Sequence, residues 1–300
     1  MDVGVHLPQI DLRGDGQSLS RLTAVARAAR EGGFAAVAAN DHLLFPRPWL
    51  DGPTALAAVV GDTGTLDLMT SVALPTLRGP LPLAATLLTL DALSGGRVVA
   101  GVGAGSSAAD LSAVGRDPTE RWRLLDDALG VLRSELGPDR SRARLTVPPV
   151  RPGGIPLWVA SWGSPTGLRR VARSGDGWLA SAYHTDPAQW ASDRAVLDAA
   201  LRAAGRDPAT VGSALATMWL WITEDRPTAR RVVEDLLVPI LGVDADLLGS
   251  RVCVGPAGHC AELLAAYAAA GCGRVLVWPV ADEPAQLEAL SERVLPRLSA

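Results

Sequence analysis

Asp41 and His42 stand side by side after a short apolar run. An imidazole next to a carboxylate can be held in one tautomer and tuned to give or take a proton near neutral pH. The plainer reading makes Asp41 a turn cap and His42 a structural histidine, but a position at the end of an apolar run favours the catalytic one. His6, Trp49, Tyr183, His184 and Trp221 combine flat apolar surface with polar tips, which suits a substrate pocket for an aromatic or apolar molecule; Trp162 shares that character. Most of the nine tryptophans are expected simply to fill the core. The run GVGAGSSA contains a G-x-G-x-x-A match at Gly103, Gly105 and Ala108. It follows a fourth strand-like run and lacks an acidic partner about 20 residues on, so a dinucleotide turn is the weaker reading. A bare backbone at Gly103, Ala104 and Gly105 that lets a flat ligand approach is the better one. A metal-dependent hydrolase built on His6, His42 and His184 is weighed and set aside, because the first run reads His-Leu-Pro and the chain has no lysine to bridge two metals. No metal is expected.

These residues need a scaffold that gathers strand ends. Apolar runs at 3–7, 35–39, 67–74, 97–102, 157–160, 177–180, 212–222 and 274–278 alternate with segments of helical period. The helical segments fall at 19–31, 52–61, 82–93, 119–135, 165–173, 187–204, 228–237 with 257–270, and 283–298. Eight strands alternating with helices predict an α/β fold, a (β/α)₈ TIM barrel spanning 1–300 as one domain, with reacting groups at the carboxyl ends of the strands. The Pro-, Gly- and Arg-rich stretch 137–154 has neither period and is expected as a surface excursion on the barrel's upper face.

Composition removes several function classes. The chain is 48% hydrophobic and 20% charged, enough for a large core, and its 28 basic residues are all arginine against 32 acids, a net charge of -4. Nucleic acid is not an expected partner. Cys253, Cys260 and Cys272 are odd in number with no CxxC spacing, so they are expected as reduced thiols rather than disulfides or zinc ligands. No apolar run is long enough for a membrane span, and no cleavable leader is recognisable, which places the expected site of action in the cytoplasm.

The blocks VGVHLPQ, AREGGFAAVAANDHLLFP, TSVALPTLRGPLPLAATLLTLDALSGGRVVAGVGAG, IPLWVASWGSPTGLRRVARSGDGW and VGPAGHCAELLAAYAAAGCGRVLVWP together resemble the luciferase-like monooxygenase superfamily of flavin- and deazaflavin-dependent barrels. The similarity covers nearly the whole chain and is weakest over 137–154 and 239–252. The resemblance implies a bacterial-luciferase-like barrel holding coenzyme F420 or FMN across the strand ends. It implies a cis peptide at Ser71-Val72 supporting the ring, contacts from Asp41, Thr76 and the turn at 101–105, and phosphate reception by Ala160, Ser161, Trp162, Gly163 and Ser164 with the helix that begins at Pro165. His42 matches the active-site base of F420-dependent sugar-phosphate and alcohol dehydrogenases. TSVALPT and the following Arg78 are closer to the F420 subgroup than to the FMN monooxygenases.

Three departures qualify this. Ser106 stands where the sugar-phosphate dehydrogenases have a glutamate, Trp162 replaces glycine in the strand 5 turn, and phosphate charge has to be met by arginine or amides. The expected function is F420-dependent hydride transfer to or from a small organic substrate. An FMN monooxygenase served by a partner flavin reductase and a non-catalytic flavin-binding barrel remain as alternatives. The apolar helices after strands 2 and 3 point to a homodimer.

Overall fold

The computed structural model describes residues 1–298. Nine strands form one all-parallel sheet: β1 (Asp2–His6), β2 (Ala36–Ala39), β3 (Asp67–Ala73), β4 (Val98–Val102), β5 (Leu157–Ala160), β6 (Gly177–Ser181), β7 (Gly212–Ile222), β8 (Cys253–Gly255) and β9 (Arg274–Pro279). Each of β1 to β7 pairs with its successor, β7 pairs with β9 and β9 with β1, which closes an eight-stranded barrel. β8 stands outside that ring, adding three residues against the far end of β7.

Closure buries both strand faces, and for that reason the runs read as continuous Val, Ala and Leu rather than as an alternation. The faces part into two cores. Val5, Val37, Leu68, Val98 and Val277 pack outward against the helices, whereas Ala38, Met69, Val99, Leu179, Ala214 and Leu276 fill the barrel interior with Trp158 packed on them. Gly177 and Gly212 make room for Trp158, since a Cβ on either would fall within 2.5 Å of its indole. Trp178 stacks on Trp190 at 4.5 Å outside the barrel.

The helices begin where the sequence offers caps. Ser18 accepts from the Arg21 amide ahead of Leu19–Glu31, Asp51 from Thr54 ahead of Gly52–Ala58, and Ser164 from Gly167 ahead of Pro165–Ser174. Two short helices, Ala108–Ala113 and Ala245–Arg251, lie where no periodic run is legible. The segment expected as one helix over 228–237 is an α-helical turn, Arg226–Arg231, running into a π-helical stretch, Val232–Leu237.

The excursion at 137–154 is placed opposite to expectation. It joins the helix Arg121–Leu136 to the start of β5, and helix-to-strand connections return to the amino-terminal face. There the Val150 amide donates to Asp91 at 2.8 Å and Arg151 to the Val98 carbonyl at the foot of β4 at 2.8 Å. It therefore lies away from the carboxyl-terminal mouth, where the segment between β7 and β8 contributes Ile240 and Leu241 to the cavity wall. All three cysteines are free and buried. No helix among the described residues is long and apolar enough to cross a membrane.

Candidate functional site

The strand ends converge on a cavity of about 410 Å³. His42, Trp49, Ser106, Trp162, Tyr183 and His184, all expected at the site, line it; Trp219, Trp278, Thr217, Ile240 and Leu241 complete it.

The loop after β2 carries His42, and Gln9 fixes that loop. Wholly buried, Gln9 donates to the Asn40 and Leu50 carbonyls at 3.1 and 3.0 Å and accepts from the Asn40 amide at 2.6 Å. Gly52 has no side chain because a Cβ would fall 2.4 Å from the Asn40 carbonyl oxygen. Antiparallel bridging of Ile10 to Trp49 then sets the indole beside the imidazole, with ring centroids 4.8 Å apart.

Asp41 does not orient His42. Its buried carboxylate receives Arg78 Nε at 2.6 Å, Arg78 Nη2 at 2.7 Å and the Leu74 amide at 3.1 Å. Arg78 also pairs with Asp51, and these carboxylates, Asp41 foremost, hold the guanidinium above its usual range. Asp41 is thus spent on tying the β2 loop to the turn after β3. The carboxylate that faces the imidazole is Asp110, with Oδ2 3.0 Å from His42 Nδ1. Asp110 is 1% exposed and also accepts from the Leu44 and Leu43 amides at 2.9 and 3.3 Å. It belongs to the short helix Ala108–Ala113, capped by Ser107, whose hydroxyl receives the Asp110 amide at 3.0 Å. Only the Ser-x-x-Asp spacing at 107–110 hints at it in the sequence. Nε2 of His42 makes no hydrogen bond to the described residues.

The turn after β4 is bare for two reasons. A Cβ on Gly101 would lie 2.0 Å from the Thr70 carbonyl oxygen, and one on Gly103 2.9 Å from Val72 and 3.4 Å from Ala160. Packing therefore requires both glycines: Gly101 against the β3 backbone, and the buried Gly103 against the Val72 side chain. The Thr76 hydroxyl donates to the Ala104 carbonyl at 3.0 Å and fixes this turn. The Ser71-Val72 peptide is cis, and the pairing of β3 with β4 shifts register between Thr70 and Ala73. Ser71 Oγ is buried there without a partner.

In the turn after β5, Ser161 Oγ accepts from the Gly163 amide at 3.3 Å, and Ser164 caps the following helix. The notable neighbour is Asp193, buried behind Gly163, whose Oδ2 lies 2.0 Å from where a Gly163 Cβ would be. Burial raises its carboxyl above the ordinary range.

Two residues expected in the pocket lie elsewhere. His6 is completely buried behind the cavity wall, stacked on Trp278 at 4.3 Å, and its Nδ1 has no partner. Trp221 lines a separate cavity of about 290 Å³ with Arg13 and Arg231; the strand's contribution to the main cavity comes from Trp219, stacked on Trp278 at 4.7 Å. The kink at Thr217, with φ at 57°, and the register shift between Leu215 and Met218 precede both residues. Among the described residues, no three His, Cys, Asp or Glu side chains gather as a metal site.

Burial holds His6 at about 3, against about 6.5 in an unfolded chain. Between those values the unfolded state takes up a proton that the folded state refuses, so this residue costs stability as pH falls below about 6.5. The expected loss from pH 7 to pH 5 is about 2 kcal/mol. Urea unfolding of wild type and His6→Gln at both pH values checks it; parallel losses in the two proteins would refute it.

Comparison with known proteins agrees with this geometry. The family model described as luciferase-like monooxygenase matches residues 1–242. An F420-dependent hydroxymycolic acid dehydrogenase of Mycobacterium tuberculosis is 32% identical over 248 residues, 76% of this chain and 65% of its own. An F420-dependent glucose-6-phosphate dehydrogenase of Amycolatopsis mediterranei is 30% identical over 182 residues, 54% of this chain and 53% of its own. The chain thus spans about half to two thirds of these relatives. Among solved structures, the monooxygenase RslO1 of Streptomyces bottropensis superposes with a TM-score of 0.85 at 19% identity, covering 99% of both chains. An F420-dependent secondary alcohol dehydrogenase does so at 0.83 and 19%, covering 99% of this chain and 98% of its own. With a closed parallel barrel and a family match over four fifths of its length, the chain belongs to the luciferase-like monooxygenase family, whose relatives named here are F420-dependent dehydrogenases and a monooxygenase.

Proposed function

We propose that the protein is an F420-dependent oxidoreductase that moves a hydride between the deazaflavin and a small organic substrate. The observation that carries this is His42, backed by the buried Asp110 carboxylate and opening onto an aromatic cavity at the strand ends. The F420-dependent relatives support the choice of cofactor.

The residues fit the ring end of such a cofactor. Ser71 Oγ is an unpartnered buried hydroxyl at the cis peptide, and the half-buried Val72 and Ala160 side chains, packed over Gly103, lie at the same strand ends. Ser161, Ser164 and the start of the helix Pro165–Ser174 would receive the phosphate, since a helix start presents free amides and the positive end of its dipole. When bound, the deazaflavin supplies a carbon that accepts or returns a hydride. For oxidation of an alcohol, the carbinol carbon gives up its hydrogen with both electrons of the C–H bond, the oxygen gives its proton to His42 Nε2, and a carbonyl forms. Asp110 accepts from Nδ1, which keeps Nε2 as the basic nitrogen and balances the charge that the ring acquires. The apolar walls exclude water from the reacting carbon.

Titration of the purified protein with F420 and with FMN, side by side, tests the reading. Micromolar or tighter binding of F420 supports it, binding of FMN alone would favour a two-component monooxygenase, and binding of neither would overturn it. Asp193 offers a related expectation. A buried acid behind the phosphate turn opposes an anionic ligand, so Asp193→Asn should tighten cofactor binding by about threefold to tenfold at low salt, with the gain shrinking as salt screens the repulsion. Unchanged affinity at low ionic strength would show that the phosphate binds elsewhere.

A further inference from the structure

We propose that the substrate is an uncharged, largely apolar alcohol or ketone, and that sugar phosphates and carboxylates are rejected. The inference deepens the oxidoreductase reading and rests on it.

The lining of the cavity contains no aspartate, glutamate or arginine, and the chain has no lysine. Nearby charges are already committed. Asp110 holds three donors, Arg78 holds Asp41 and Asp51, and Arg251 donates to the Tyr183 carbonyl at 3.0 Å. Burial, together with Arg251, lowers His184 so that it is neutral at pH 7, and burial keeps Tyr183 a phenol. A phosphate or carboxylate entering here would lose its hydration and meet no cation in exchange.

Some of the neutral polar groups are already engaged. Thr217 Oγ1 donates to the Ala216 carbonyl and meets Ser181 Oγ, Ser107 Oγ receives the Asp110 amide, and Asn40 Oδ1 receives the Asp41 amide. Ser106, His184 and the Asn40 amide nitrogen make no side-chain hydrogen bond to the described residues, so the lining selects against charge rather than against a further hydroxyl, while the reacting oxygen meets His42 Nε2. Apolar surface is plentiful by contrast, from Phe45, Trp49, Trp219, Trp278, Ile240 and Leu241. It continues outward, because Leu44 and Trp162 line the cavity yet are each 56% exposed. A contiguous apolar rim of this kind suits the part of a substrate that does not react.

The test is calorimetric binding of 1-(2-naphthyl)ethanol, its 6-carboxylate analogue and glucose 6-phosphate, each to the protein alone and to the protein saturated with F420. The neutral alcohol is expected to bind at least about tenfold more tightly than its carboxylate in both forms, with no binding of the sugar phosphate. Ile240→Arg, at the half-buried edge of the wall, should reverse the preference towards the carboxylate. Equal or tighter binding of the carboxylate by wild type, measurable binding of glucose 6-phosphate, or no binding of the neutral alcohol would overturn the proposal. Failure of F420 to bind would instead defeat the oxidoreductase reading, and the alcohol-to-carboxylate ratio on the protein alone would still decide the selectivity of the cavity.

Discussion

Replacing His42 with alanine is expected to slow turnover about 10²- to 10⁴-fold, the usual worth of a positioned proton carrier. Cofactor affinity should change little, because the ring packs at the cavity edge against Phe45 and Trp49, and stability should fall only in part, because Asp110 keeps the Leu43 and Leu44 amides when it loses the imidazole. The same geometry ranks a second variant. Asp110→Asn keeps the shape but offers His42 an amide in place of a carboxylate, so it should cost less than His42→Ala and displace the pH profile of turnover. Combined in one protein, the two changes should cost no more than His42→Ala alone, since Asp110 acts on chemistry through His42. Additive losses would make Asp110 a structural residue only, and turnover within twofold of wild type in His42→Ala would remove the imidazole from the reaction.

The second large effect is on stability. Arg78→Leu leaves the Asp41 carboxylate, 2% exposed, with only the Leu74 amide as a partner. Removing one member of a buried ion pair typically costs 3 to 5 kcal/mol, and because Arg78 is itself 23% exposed the lower end, about 3 kcal/mol, is expected. Asp41→Leu combined with Arg78→Leu should recover most of that loss, as no charge is then stranded. Urea unfolding of the two proteins measures it. A loss below about 1 kcal/mol in Arg78→Leu would mean that water reaches Asp41 freely.

The barrel was legible because closure imposes one pattern on every strand. Each of the eight barrel runs is a short apolar stretch, and each emerges within one or two residues of its sequence bounds. β8 escaped because three residues, Cys253–Gly255, carry no period. Asp110 escaped for a deeper reason. Its contact with His42 joins residues 68 apart, and only the tertiary fold of the β4 turn over the β2 loop creates it. Adjacency in sequence pointed to Asp41 instead, but neighbours on an extended segment point in different directions, and Asp41 turns toward Arg78. The tryptophans illustrate the same limit. Composition marks them as pocket or core, and since Trp219 and Trp221 share one face of β7, their depth along the strand decides which lines the main cavity.

The excursion at 137–154 hangs from the opposite end of the barrel to the cavity, anchored by the Glu135 carboxylate to the Arg144 and Leu145 amides and by Asp91 to Val150. Between those anchors, Asp139, Ser141 and Arg142 are exposed. A peptide handle grafted there would tether the molecule to a sensor surface with its entrance facing the bulk liquid, an orientation that neither chain end needs to provide.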